Sequence, residues 1–159
     1  MRKMLIVAAT LVLVSGMLVS AEEAKWLDPA NCDFCRPLTE PPEMLQNLHW
    51  QNFKVTNGVM TVTTFSPEWK EPYEAATAKM NAFWETFDPT KSYHMCGMCE
   101  AYMGVDWTKV TADAVDFDGG QVSLMTTTDS TTLAALHRIT DRTVAEYEAM
   151  LKAHMESHE

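Results

Sequence analysis

All four cysteines of this 159-residue chain fall in two Cys-x-x-Cys clips, Cys32-Asp33-Phe34-Cys35 and Cys96-Gly97-Met98-Cys99. A two-residue spacer lets both sulfurs of a clip reach one centre. Any centre shared by the clips must therefore join chain segments 64 positions apart. Four thiolates are the donor set of a tetrahedral zinc ion, and four thiols also suffice for two disulfides.

The flanking sequence repeats at nearly the same offset. Asn57-Gly58 predicts a two-residue type I′ turn, which needs positive φ at both positions. Folding about it pairs Val55 with Met60 and Phe53 with Val62 on an apolar face, leaving Lys54 with Thr61 and Thr56 with Val59 on a more polar one. Gly119-Gly120 predicts a second turn, with Phe117 facing Val122 and Val115 facing Leu124 on the side expected to be buried. A helix follows each hairpin. The first starts at Ser66-Pro67, carries Trp69, Tyr73, Ala76, Met80, Phe83 and Phe87 on one face, and ends at Asp88-Pro89. The second starts near Asp129 or Ser130 and runs through Leu133, Leu136, Thr140, Val144, Tyr147 and Leu151. A shift of 64 lays Trp69 on Leu133, Phe83 on Tyr147 and one clip on the other. Short helices are expected at 42–47 and at Gly97–Met103. The expected fold class is α+β, with internally duplicated units of short helix, β-hairpin and long helix at about 32–89 and 96–153. Together they would give a single domain, 32–159, with a four-stranded antiparallel sheet and two long helices packed on one face. Residues 22–31 read as an extended N-terminal arm, and 152–159 as a fraying end.

The N-terminus reads as a secretory signal peptide over 1–21. Arg2 and Lys3 precede an apolar run at 4–14, and Val19-Ser20-Ala21 supplies a cleavage site. The expected location is periplasmic or extracellular. Cleavage would remove Arg2 and Lys3 and leave 10 basic against 22 acidic side chains, a net charge of −12. So acidic a surface repels phosphate backbones and anionic lipid, which argues against nucleic acid as a partner. No later segment is apolar enough for stable membrane insertion, and no protein partner is indicated.

Zinc held by Cys32, Cys35, Cys96 and Cys99 is the leading reading, as a closed structural site joining the two repeats. Export into an oxidising compartment keeps two structural disulfides open, within or between clips. Thiol–disulfide catalysis is a third reading, since Cys96 at a helix start would favour thiolate. Cys96-Gly97-Met98-Cys99 resembles the active clip of thioredoxin-like oxidoreductases over those four residues, but no strand pattern leads into it. Haem attachment needs His after the second cysteine, where Arg36 and Glu100 stand. An iron–sulfur cluster fits four thiolates but sits poorly with export of an unfolded chain. His94, Met95 and Met98 bring softer donors to the second clip, so copper handling is a variant of the metal reading. His154 and His158 are four apart and read as a helix terminus rather than a chelate. His137 reads as packing, and His49 has no partner that the pattern identifies. Asp113, Asp116 and Asp118 read as one solvated strand face. No phosphate loop, nucleophile elbow or zinc-protease helix motif is present. A binding or structural role, not turnover, is the expectation.

Overall fold

The computed structural model describes residues 25–156. The signal reading at 1–21, the His154 side chain and His158 lie outside what the structure describes. After 3₁₀ turns at Pro29–Asn31 and Arg36–Thr39 come α1 (Met44–Asn47), β1 (Leu48–Val55), β2 (Gly58–Phe65) and α2 (Lys70–Glu85). Then follow α3 (Gly97–Met103), β3 (Thr111–Phe117), β4 (Gly120–Thr126) and α4 (Ser130–Glu156). Pro67–Trp69 forms a 3₁₀ turn ahead of α2, and Pro72 falls in the first turn of α2, where a missing N–H costs nothing. Asp129 opens α4 by accepting from the Thr132 backbone N–H at 2.8 Å. Helix α4 continues through the segment expected to fray, as far as Glu156.

The four strands form one antiparallel sheet in the order β1-β2-β4-β3, so the hairpins meet through their inner strands. Thr61 lies opposite Ser123, the residue 62 positions on. A step of 62 residues therefore maps the central strand pair onto itself, which is the register of a local two-fold.

Both turns sit one residue earlier than the dipeptides predict. Val55 pairs with Gly58 and Phe53 with Met60, while Phe117 pairs with Gly120 and Val115 with Val122. Gly119, with φ of 87°, is the single described residue at positive φ, so Asn57-Gly58 is not a type I′ turn. The second glycine of each pair is needed by the central strand contact instead. A Cβ on Gly58 would lie 1.9 Å from the Met125 carbonyl oxygen, and one on Gly120 would lie 2.3 Å from that of Thr63. These are matching contacts about the same local two-fold, since Gly120 and Met125 each stand 62 positions beyond Gly58 and Thr63.

The covered face is the one expected to be wet. Val59 is fully buried against Leu136 and Ile139 of α4, and Leu48 packs with Tyr73 and Ala76 of α2. Phe53, Val115, Phe117 and Leu124 lie on the opposite face and are exposed. Alternation along a strand separates two faces, but it does not say which one the helices cross. Here Leu48, Val59 and Phe65 decide it by filling the helix-side clusters. Asp113 and Asp116 are three apart and so lie on opposite faces: Asp113 pairs with Leu124, whereas Asp116 pairs with Gln121 and accepts from its Nε2 at 2.8 Å. His137, expected only to pack, instead hydrogen-bonds the β1–β2 turn, with Nε2 3.0 Å from the Gly58 carbonyl oxygen and 3.2 Å from that of Val55. His49 is exposed.

Candidate metal centre

Each clip wraps into a turn of the same form. In the first, the Arg36 N–H donates to the Cys32 carbonyl at 2.8 Å, and Cys35 precedes the 3₁₀ turn Arg36–Thr39. In the second, the Glu100 N–H donates to the Cys96 carbonyl at 3.0 Å, Cys96 precedes α3, and Cys99 lies within it. The backbone thus presents both sulfurs of each clip on the inside of a turn. The N-terminal segment fixes the second clip: Gly97 and Met98 donate their N–H groups to the Lys25 and Trp26 carbonyls, each at 3.0 Å. Trp26 is buried in turn, its Nε1 donating to Thr143 Oγ1 at 3.0 Å, with the Arg142 guanidinium 4.2 Å above its ring. Residues 25–31, expected as an extended arm, therefore contribute a core tryptophan.

The two clips converge. Sγ atoms of Cys32, Cys35, Cys96 and Cys99 all lie within 4.8 Å of one another. Cys35 Sγ and Cys99 Sγ, equivalent under the 64-residue step, are 3.3 Å apart. A tetrahedral ion with bonds of about 2.3 Å separates its sulfurs by about 3.8 Å, so this spacing fits such a centre. All four thiols are free, and none is more than 5 % exposed.

Packing four ionisable sulfurs together splits their proton affinities. Hydrogen bonding from Cys35, and then from Cys96 and Cys99, holds Cys32 far below the usual thiol range. Cys32 pushes Cys96 up, but donation from Cys35 and Cys99 outweighs it and leaves Cys96 lowered to about 6. Cys35 and Cys99 are driven upward, first by Cys32 and further by burial. Without a cation the cluster keeps some sulfurs as thiolates and others as thiols. A divalent ion favours the thiolate at all four.

An apolar shell surrounds the sulfurs. Met95 is buried with them, and Phe34, Phe83, Tyr93 and Met98 pack against the group. Phe34 and Phe83 stand 5.8 Å apart between ring centres, and Phe83 and Tyr93 stand 5.2 Å apart edge to face. Burial also pushes the Tyr102 hydroxyl up to about 12, with the Cys99 charge adding to the effect. Spacing alone did not single out this shell, although Phe34 inside the first clip and Phe83 on the α2 face were its visible signals. The linking pair Asp33 and His94 was likewise missed. His94 itself is exposed, and among the described residues no histidine or carboxylate joins the sulfur cluster.

No known protein family, curated protein or solved structure matches this chain.

Proposed function

We propose that this chain is an exported zinc-binding protein whose four thiolates, Cys32, Cys35, Cys96 and Cys99, form a closed structural centre. The observation that carries the reading is the convergence of all four Sγ atoms within 4.8 Å. Burial of every sulfur to 5 % exposure or less supports a structural role over thiol–disulfide turnover, because an attacking thiolate needs access. Zinc is favoured by an all-thiolate tetrahedral donor set, and a site with four protein ligands leaves no position for substrate. Its binding free energy would add to folding and tie the N-terminal clip to α3. The basic start, apolar run and small-residue site at 1–21 support export, and the self-paired Thr61–Ser123 register supports descent from a duplicated unit.

Copper(I) is the second reading, favoured by the buried Met95 beside the thiols, since soft thioethers suit that ion. Native mass spectrometry of the chain purified from its exported fraction tests both. The zinc reading expects one zinc per chain and a mature N-terminus at Glu22. A mass short of four hydrogens with no metal would replace it by two disulfides, and a copper adduct by the second reading.

A further inference from the structure

The side of the sheet away from the helices is apolar and carries no covering element among the described residues. Phe53, Val62, Val115, Phe117, Val122 and Leu124 share it, as the strand pairing fixes. Val115 is 63 % exposed, Phe117 43 %, Phe53 42 % and Leu124 37 %. Among the described residues, the buried clusters lie on the helix side or around the cysteines, and none includes these side chains.

We propose that this open sheet face is the interface of a two-fold homodimer. Its layout is that of an interface: an apolar centre, with Gln51 and Thr64 towards one end of the strands and Thr111 and Thr126 at the other. Asp113 is the one charged side chain on the face, in a chain of net charge −10. A chain of that charge repels a second copy overall, and contact through this face confronts mostly uncharged side chains. The shape is self-complementary, because twisted sheets pack face to face at about 30° with their side chains interdigitated. Four strands about 4.8 Å apart and seven residues rising about 3.4 Å each give a plane of roughly 450 Å² per copy. Two such planes give roughly 900 Å² in all, at the low end of specific interfaces, as expected for a dimer that dissociates on dilution. An isologous two-fold contact buries the same patch on both chains and closes the assembly at two.

Sedimentation equilibrium and native mass spectrometry of the mature chain as purified, whatever the state of its cysteines, test the proposal. The expected result is a mass of two chains, falling to one in Val122→Glu with unchanged far-ultraviolet circular dichroism and metal content. Should Val122→Glu fail to fold, Val115→Lys serves instead, because an edge position 63 % exposed in the monomer adds nothing to its core. A wild-type chain of single mass at every concentration would overturn the proposal, as would a variant that folds and keeps the double mass. A single-mass chain that co-floats with phosphatidylcholine vesicles, and loses this in Val115→Lys, would assign the face to a lipid surface instead. None of these outcomes bears on the metal content, so the dimer and the zinc reading stand or fall separately.

Discussion

Asp33 grips the backbone of His94 from two directions: its N–H donates to the His94 carbonyl at 2.8 Å, and its carboxylate Oδ2 accepts from the His94 N–H at 2.9 Å. The pair joins the interior of the first clip to the residue two before the second, so it holds the two halves of the sulfur cluster in register. Asp33→Ala should remove one of the two bonds and cost about 1 kcal/mol, since the site is partly exposed. On the zinc reading proposed above, transfer of the metal to a chelator should then run roughly fivefold faster. Asp33→Asn keeps an acceptor and should recover most of the loss. Arg36→Ala, which removes only the exposed 3.7 Å ion pair to Asp33, should change little. Equal release rates in all four proteins would remove Asp33 from this role.

Replacing any one sulfur should have a larger effect. Cys35→Ser and Cys99→Ser each break the pair that meets at 3.3 Å, and each should lower the metal content below one per chain. Structural zinc contributes on the order of 10 kcal/mol to small domains, so both variants should melt well below the wild type. Chelation should lower the wild-type midpoint steeply and the variants' hardly at all. A chelator-insensitive wild type with reductant-sensitive stability would point to disulfides.

Trp26 couples the N-terminal segment to both α4 and the second clip. Its indole bonds Thr143, its ring lies under Arg142, and its carbonyl receives the Met98 N–H. Trp26→Ala should cost about 3–5 kcal/mol, as expected for a large side chain buried to 7 % exposure. Trp26→Phe keeps most of the packing but loses the Thr143 bond, and should cost about 1–2 kcal/mol. Urea denaturation under identical metal and reductant conditions distinguishes the two values.

The elements were legible because each has a local cause. Asp129 and Ser66-Pro67 mark helix starts, Asp88-Pro89 lies just beyond the end of α2, and alternation marks the strands; the α3 bounds at Gly97–Met103 agree with expectation. Convergence of the clips was legible too, because a two-residue spacer suits both sulfurs of each clip to one shared centre, and the four Sγ atoms do meet within 4.8 Å. Two other features depended on contacts distant in sequence. The hairpin registers follow from Gly58 against Met125 and Gly120 against Thr63, which cross between hairpins. The buried face follows from α4, whose inward stripe is Thr132, Leu136, Ile139, Thr140 and Thr143. A stripe of threonines interrupted by two aliphatic residues gives a weak apolar signal, so the brighter alternation of Phe53, Val55, Met60 and Val62 pointed to the wrong side.

The pH response of α4 follows from its cap. The Thr132 N–H and hydroxyl, together with the Lys109 ammonium, hold the Asp129 carboxyl down to about 2 from an ordinary 3.8. A depressed folded-state pKa means that the carboxylate stabilises the fold above pH 3.8 and loses that contribution as pH falls through about 2. Asp129→Asn keeps an oxygen acceptor for Thr132 but has no proton to gain. Its stability deficit against the wild type should therefore be greatest near neutrality and shrink as pH falls through that window. Both proteins carry the same cysteine cluster, so any effect of acid on the sulfurs cancels in the difference. A deficit independent of pH would assign the cap to hydrogen bonding alone.

Glycine at 58 offers the sharpest test of the strand register. Its Cβ position lies 1.9 Å from the Met125 carbonyl oxygen and 2.9 Å from the Thr126 Cα, both backbone atoms that no rotamer can move aside. Gly58→Ala must push β2 from β4 at the seam between the hairpins, and it also disturbs the Gly58 carbonyl that faces His137 Nε2 at 3.0 Å. The expected cost is about 3 kcal/mol, at the upper end for overpacking. Gly104 is the control: φ there is −79°, and the nearest atom to an added Cβ is the Ala101 carbonyl oxygen at 3.4 Å. Gly104→Ala should stay within about 0.5 kcal/mol of the wild type. Had the chain adopted the Asn57-Gly58 type I′ turn, Gly58 would sit at positive φ outside the β2–β4 seam, and the penalty for alanine would be local strain. Amide exchange separates the cases: the register described here predicts lost protection along both β2 and β4 in Gly58→Ala, whereas a turn defect would confine it to the β1–β2 loop.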